Sequence, residues 1–371
     1  MAIAALPMEG DEQAMLIAAK CRGLMVGYDA RWRGAGWETL SVEEKFLLPV
    51  INPETGAASR TFQQGGKYDG VIRRSDKNYL LEHKTTSDDI TDPNSIYWRR
   101  LTIDSQVSAY VLANWQSGRK LDGTVYDVIR KPGIRPKQIT KADYQTIQSE
   151  GTYCGWKIPE DVLPLIQDAR QVEPMELYAM RLATDTLNEP EKYFQRRVIP
   201  RMDSEIVEYA QEVWEVGQSI IHARNREAHY RNSDACSQYG SPCAFLGICS
   251  GYDTHDSQNW KRSESIHPEL SEVAIEDQRN VLTNSRIKTF QTCRRKHFYR
   301  YEMGIERHDE ETKDALFFGS MLHSALESWW SAFTVKGLSY DGIANAAAGT
   351  ELAAATREAW RETELPFGSD D

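Results

Sequence analysis

The sequence predicts an α/β protein: a small mixed central sheet flanked by helices. Two strand-like runs at 65–72 and 79–86 lie almost side by side in the chain. Helical periodicity stands on both sides of them, at about 11–35 with Met15, Leu16, Ala19, Leu24 and Met25 as apolar positions, and again at 95–115. The chain is 371 residues, 40% hydrophobic and 27% charged, enough to bury a substantial core as one elaborated domain or two smaller ones.

In chain order, the first helix leads into a strand at 44–51 and a strand or hairpin at 61–74. After the strand at 79–86, the helix at 95–115 carries Gln106 and Tyr110, whose four-residue spacing puts an amide and a phenol on one face. A further strand is expected at 125–130. Residues 140–185 and 203–230 read as mostly helical, joined by an extended 193–199. A cysteine-bearing loop follows, then a polar, weakly patterned stretch at 250–280 that reads as a linker. Two aromatic helices are expected at 285–301 and 316–333. An alanine-rich helical tail at 343–360 ends in a frayed 366–371.

The chemistry concentrates in Gly65-Gly66-Lys67-Tyr68-Asp69-Gly70 and Glu82-His83-Lys84. Strand alternation projects Glu82 and Lys84 to the same face and turns the His83 side chain away, leaving its carbonyl free to face the site. Two carboxylates and a carbonyl make a hard-oxygen pocket suited to Mg²⁺ or Mn²⁺. A lysine beside it can position a water or offset charge building on a phosphate. That is the chemistry of metal-assisted phosphodiester hydrolysis. A Glu-x-Lys pair on a strand is also common as exposed surface charge. Here the apolar run Tyr79-Leu80-Leu81 leads into it, so the charges sit where a buried strand emerges.

A net charge of −11 argues at first against a nucleic-acid partner, but the basic residues cluster. Trp98-Arg99-Arg100, Arg130 to Lys137, Arg196-Arg197 with Arg201, and Arg294-Arg295-Lys296 are candidate phosphate contacts, with solvated faces as the competing reading. Arg99, Arg100, Arg294, Arg295 and Lys296 are the DNA contacts expected here. Trp98, Trp329 and Trp330 lie near site residues and are candidates for stacking on bases. No apolar run reaches the length of a membrane span, and the apolar start is too short for a signal peptide, so a cytoplasmic protein is expected.

Of six cysteines, Cys236, Cys243 and Cys249 fall in one Gly- and Pro-containing loop. Without a secretory signal, a metal or cluster site is a better reading than a disulfide framework. Cys293 is the best candidate for a fourth ligand, and four thiolates suit structural zinc as well as an iron–sulfur cluster. Cys21 and Cys154 read as plain buried thiols.

Taken together, Gly319-x-x-x-His323 with Glu327, Asn284 to Tyr299 around Cys293, Asp69…Glu82-x-Lys84 and Gln106-x-x-x-Tyr110 resemble the PD-(D/E)XK nuclease superfamily, in its RecB-like iron–sulfur branch. The resemblance spans most of the chain. It implies a restriction-endonuclease-like core with a helical iron–sulfur lobe. His323, Asp69 and Glu82 would ligate the metal with the His83 carbonyl, and Lys84 would assist the attacking water. Gln106 and Tyr110 would brace the site and contact the DNA strand. Cys236, Cys243, Cys249 and Cys293 would hold a 4Fe–4S cluster. Tyr68 stands where the family's proline would be, and the Cys236–Cys243 spacing is wider than the branch's usual Cys-x-x-Cys.

In the resembled family the cysteine and histidine helices precede the Asp…Glu-x-Lys strands. Here that order is rotated, as in a circular permutant. Residues 1–260 would carry the core strands, the Gln-x-x-x-Tyr helix and three cysteines, 261–280 a linker, and 281–371 the helices with Cys293 and His323. Halves of two tandem copies in one chain are the rival explanation, and would complete the site between molecules. The function expected is a metal-dependent deoxyribonuclease, an exonuclease on DNA ends or single strands in phage or mobile-element recombination, replication or repair. The alternative is a non-catalytic DNA-binding or scaffold protein.

Overall fold

The computed structural model describes residues 12–238, 240–308 and 314–332. Helix α1 (Glu12–Trp32) leads into a meander of β1 (Glu38–Ile51), β2 (Ala58–Arg74) and β3 (Lys77–Thr86). Then come α2 (Ile96–Leu101), α3 (Ser105–Gln116), β4 (Gly123–Arg130) and α4 (Lys141–Glu150). A small hairpin, β5 (Thr152–Tyr153) and β6 (Trp156–Lys157), precedes α5 (Met175–Asn188), α6 (Pro190–Tyr193), β7 (Phe194–Ile199) and α7 (Asp203–Asn225). The cysteine region holds β8 (Ser237–Gln238), β9 (Ser241–Pro242) and α8 (Leu246–Ser250). The last described elements are β10 (Trp260–Arg262), β11 (Val281–Leu282), α9 (Asn284–Thr292), α10 (Arg294–His297), β12 (Ile305–Arg307) and α11 (Asp314–Ser331).

The main sheet runs β1-β2-β3-β4-β7, with β11 added in parallel beside β2. Pairing is antiparallel except for β11–β2 and β3–β4; α2 and α3 make the β3–β4 crossover. Alternation along β3 and β4 feeds two cores. Leu81, Val125 and Ile129 face Leu24, Tyr178, Leu182, Leu322 and Leu326 of α1, α5 and α11. Leu80, Tyr126 and Val128 face Val107, Tyr209, Val213 and Phe290 of α3, α7 and α9. Gly23 and Gly27 make the α1–α5 approach possible, since a Cβ there would collide with Leu182 and Thr186.

The α/β class expected from sequence is the one observed, with helices on both faces of a mixed sheet. Several elements differ in detail. The helix expected at 95–115 is two, broken at Thr102–Asp104, where the Asp104 carboxylate accepts the Gln106 N–H and caps α3. The helix expected at 285–301 breaks at Cys293, whose backbone is extended (φ −159°), and ends in a π turn at Phe298–Glu302. Residues 140–185 hold a hairpin and a 3₁₀ turn between two helices. The polar stretch at 250–280 contributes β10, which pairs with β12, and buries His267 and Leu270. The tail expected as a helix at 343–360 and the fray at 366–371 lie outside the described residues.

Candidate active site

Strand β3 delivers the first charged pair. Glu82 is 2% exposed and Lys84 Nζ lies 2.7 Å from its Oε1. Lys84 also sits 3.2 Å from Asp104 Oδ2 and donates to Gln106 Oε1 at 2.8 Å. Gln106 Nε2 in turn donates to the Tyr110 hydroxyl at 2.8 Å. The i,i+4 pair of α3 therefore fixes the ammonium beside Glu82, as its spacing predicts.

Asp69 comes from β2, within the strand rather than at its end. Its Oδ2 accepts the His83 backbone N–H at 2.6 Å, which orients the carboxylate toward the neighbouring strand. Helix α11 brings His323, whose Nδ1 stands 3.7 Å from Asp69 Oδ1, an ion-pair distance too long for a hydrogen bond. Asp69, Glu82, Lys84 and His323 thus gather at one place from three elements, two of them at opposite ends of the chain.

The electrostatics are lopsided. Burial raises the Glu82 carboxyl well above its usual range; Lys84 opposes this, while Asp69 and Asp104 add to it. Burial also works against ionisation of Asp69, but His323 and then His83 outweigh it and hold its carboxyl low. Lys84 is held above its ordinary value: burial opposes its charge, and Glu82 and Asp104 more than restore it. Glu82 Oε2 is buried without a hydrogen-bond partner. A buried carboxyl oxygen with no hydrogen-bond partner, beside a second carboxylate, is chemistry that suits a cation.

Among the described residues no three His, Cys, Asp or Glu side chains already close around a common point tightly enough to hold an ion. The donor set nevertheless suits one. Asp69 and Glu82 offer hard oxygens and His323 a nitrogen, and the partly exposed His323 leaves the site open on that side.

The His83 side chain points to the opposite face, as alternation requires. Its Nδ1 lies 3.2 Å from Asp127 Oδ2, within ion-pair distance but off the hydrogen-bond direction. Asp127 accepts hydrogen bonds from the Tyr28 hydroxyl and from Arg196 Nη2, and Trp330 Nε1 donates to Tyr28 at 3.0 Å.

Several site neighbours escape sequence reasoning. Asp104 falls inside the single helix expected at 95–115, and an Asp ahead of Ser-Gln is the helix-start signal that could have singled it out. Glu43, at a left-handed φ of 51°, faces Asp69 across the β1–β2 register and pairs with Lys67. Glu327, already part of the Gly319–Glu327 run quoted from the sequence, lies one turn beyond His323, close enough to favour the Lys67 charge and oppose that of Glu43. Nothing in the sequence pairs Asp127 with Arg196.

The expected nucleic-acid contacts divide. Arg99 and Arg100 are exposed. Arg294 stacks on Tyr230 and Phe290, Arg295 Nε donates to the His229 carbonyl, and Lys296 lines the cysteine cavity. Arg196 is buried against Asp127, and Arg201 donates to the Leu101 carbonyl, so neither is a free phosphate contact. Trp98, Trp329 and Trp330 are buried (3%, 6% and 1% exposed) and cannot stack on bases; they close the cores.

Cys236, Cys243, Cys249 and Cys293 all line one void of about 20 Å³ with Phe245 and Tyr299. All four are free thiols, as are buried Cys21 and Cys154, the latter exposed rather than buried as expected. Burial raises the Cys249 thiol, and Cys293 and Cys236 push the same way against Arg295 and Arg231. Four cysteine sulfurs around a shared void are a donor set that, once deprotonated, suits a cation. The void is about one water in size, and as the sulfurs stand no three of them close tightly enough to hold an ion, so a metal or a cluster alike would require them to shift.

A model of the PD-(D/E)XK nuclease superfamily matches residues 281–368. The matched segment contains Cys293 and the His323 helix, while Asp69, Glu82 and Lys84 lie outside it. The central mixed sheet flanked by helices is consistent with the restriction-endonuclease-like fold of that superfamily, and the match points to a metal-dependent nuclease. No curated protein and no solved structure matches the chain. No helix among the described residues is long and apolar enough to cross a membrane.

Proposed function

We propose that this protein is a metal-dependent deoxyribonuclease, acting as an exonuclease on DNA ends or single strands. The observation that carries the reading is the gathering of Asp69, Glu82, Lys84 and His323 around an unpartnered buried carboxylate oxygen. The superfamily match over the segment that holds His323 supports it independently. Nucleases of that superfamily typically use Mg²⁺ or Mn²⁺. Asp69, Glu82, His323 and the His83 carbonyl would hold the ion, which when bound supplies Lewis-acid charge to the scissile phosphate and a more acidic water.

The rest falls to the chain's own groups. Lys84 remains protonated, so it acts as a hydrogen-bond donor and positive charge toward the attacking water or a phosphate oxygen, not as a base. Gln106, Asp104 and Tyr110 position it. The exposed Arg99 and Arg100 would take phosphates of the incoming strand, with Arg294, Arg295 and Lys296 as a second basic surface.

The four cysteines would hold a structural 4Fe–4S cluster, as the resemblance implies, or a single Zn²⁺; iron, sulfide and zinc analysis of purified protein separates the two. The rotated motif order is part of the same reading. It is supported by the match falling after the strands in the chain while α11 packs against α1 and β1. Recombination, replication or repair of phage or mobile-element DNA is the setting to which the resemblance points.

The test is degradation of end-labelled single- and double-stranded DNA with Mg²⁺ or Mn²⁺ by the wild type and Glu82→Ala. Metal-dependent cleavage lost in the variant is the expected result. Equal inactivity of both folded, metal-loaded proteins would sink the catalytic reading in favour of DNA binding alone.

A further inference from the structure

We infer that Lys20, Lys131 and Arg135 form a phosphate-binding surface, on the face of the sheet opposite α2, that holds the DNA strand as it leaves the candidate site. The inference rests on the nuclease reading for the identity of the strand and goes beyond it in assigning these three residues. Lys20 belongs to α1, and Lys131 and Arg135 to the segment that follows β4.

The backbone of that segment is pinned from several sides. The Lys131 N–H donates to the Thr86 carbonyl at 2.7 Å, just past the carboxyl end of the parallel β3–β4 pair. The Tyr178 hydroxyl donates to the Ile134 carbonyl at 2.9 Å, and Arg181 Nη2 to the Arg135 carbonyl at 2.8 Å. Arg135 is exposed, and Lys131 and Lys20 are half-buried. None of the three has an acid within ion-pair distance among the described residues. At the two ends of the same basic run, by contrast, Arg130 and Lys137 stand 3.9 and 4.0 Å from Asp89 and Asp143. Lys131 Nζ lies 5.3 Å from the centre of the Phe318 ring. The ring takes one side of an ammonium with three donors, so the others remain for an acceptor.

The three cations crowd one another. Burial works against the Lys20 charge and Arg135 and Lys131 add to that, while Cys21 and Asp314 oppose it. Burial pushes the Cys21 thiol up to about 12, so it is uncharged at neutral pH and Asp314 is left to answer them. In a chain of net charge −11 this is a local reversal of sign, the condition under which an acidic protein can hold a polyanion.

Position ties the surface to the site. Phe318 lies five residues before His323 on α11, about 7.5 Å along the helix axis, and Thr86 follows Lys84 by two residues on β3. Arg99 and Arg100 approach the same strand ends from the other face. Helix α2 packs through Trp98 and Leu101 into the core of α3 and α7, whereas Phe318 belongs to the core of α1 and α5. Carboxyl ends of parallel strands are where α/β folds receive ligands. A strand that enters over α2 and crosses Lys84 and His323 leaves between α11 and the 131–135 segment, where three cations lack a partner in the fold.

The experiment is fluorescence anisotropy of labelled single-stranded DNA with the full chain in EDTA, over a series of salt concentrations. The double variant Lys131→Ala, Arg135→Ala should bind about tenfold more weakly. Its slope of log affinity against log salt should be shallower by about 1.4, two lost contacts at about 0.7 each. Lys20→Met should weaken binding a few-fold while the free protein melts no lower, because a crowded half-buried charge is removed. Arg60→Ala, which deletes an exposed charge on β2 nine residues before Asp69, should change neither affinity nor slope. Equal affinity and slope in wild type and double variant overturn the inference and leave the nuclease reading standing. An equal loss in Arg60→Ala overturns it too, since the effect is then one of net charge. A wild type that binds no DNA overturns both, and cleavage of labelled DNA reports on the nuclease reading alone.

Discussion

The two faces of strand β3 carry two buried polar centres back to back, and they are built to opposite rules. On the His83 face, one carboxylate, Asp127, meets one guanidinium, Arg196, and Tyr28 and Trp330 close the network away from solvent. On the Glu82 face, Asp69, Glu82 and Asp104 outnumber the Lys84 cation, and one Glu82 oxygen has no partner. On the first face carboxylate and guanidinium charges match one to one, although Arg196 Nη1 is left without an acceptor, and the network holds the sheet to α1 and α11. The second sets three carboxylates against Lys84 and the His323 beside Asp69, a donor set that suits a divalent cation.

The comparison breaks most sharply at Glu82. Glu82→Ala should cost on the order of 10³-fold or more in metal-dependent cleavage. It should leave the melting temperature of metal-free protein unchanged or raised, because it removes a buried, underpaired carboxylate. A variant that lost stability in parallel with activity would mean that both faces are structural. Cleavage assays paired with thermal melts read the two effects separately.

Asp127→Asn should do the reverse: destabilise the fold by about 3 kcal/mol, since Arg196 loses its counter-charge, with activity per folded molecule largely kept. Burial opposes ionisation of Asp127, but Arg196 and then His83 hold its carboxyl well below its ordinary value of 3.8. A depressed carboxyl contributes stability above its unfolded value, and that contribution disappears as pH falls through the folded one. Wild-type stability should therefore drop below about pH 4, and Asp127→Asn should flatten that limb of urea midpoints against pH.

How much of this contrast could be read from sequence follows from which interactions are local. Glu82 and Lys84 on one face, His83 on the other, and Gln106 with Tyr110 are consequences of the two strand and helix periods, and the structure places them so. Pairing of Asp127 with Arg196 depends on register between β4 and β7, two strands joined through a long helical excursion, and no local pattern encodes it. The same holds for Glu43, brought opposite Asp69 by a left-handed residue inside a strand. Trp329 and Trp330 looked available near His323; α11 instead turns them into the core, where their indoles donate to Asp29 and Tyr28. The helix breaks at 102–104 and at Cys293 fall where a polar cap or a turn toward the other cysteines overrides good helix formers.

A smaller effect sharpens the open face. The Gln106 side chain accepts from Lys84 and donates to Tyr110, so it orients the lysine, while its backbone N–H is held by the Asp104 cap. Gln106→Ala should lower the cleavage rate by about tenfold, the worth of one charge-assisted hydrogen bond. DNA affinity should change little. Gln106→Glu should rescue part of the loss, because a carboxylate still accepts from the ammonium.

The smallest expected effect tests where the open face meets its substrate. Arg99 and Arg100 lie on the exposed last turn of α2, the short helix just ahead of the Asp104 cap whose carboxylate touches Lys84. A strand threading past Lys84 toward that helix would place a phosphate on one or both guanidiniums. Each substitution to alanine should weaken binding of single-stranded DNA only a few-fold at moderate salt. It should reduce the slope of log affinity against log salt by about one, because one fewer counterion is released. A slope unchanged in the double variant would remove α2 from the DNA path. Binding would then have to run along the Arg294–Lys296 surface, where Arg294 and Arg295 are already held by protein partners and could engage phosphate only by giving up Tyr230 and the His229 carbonyl.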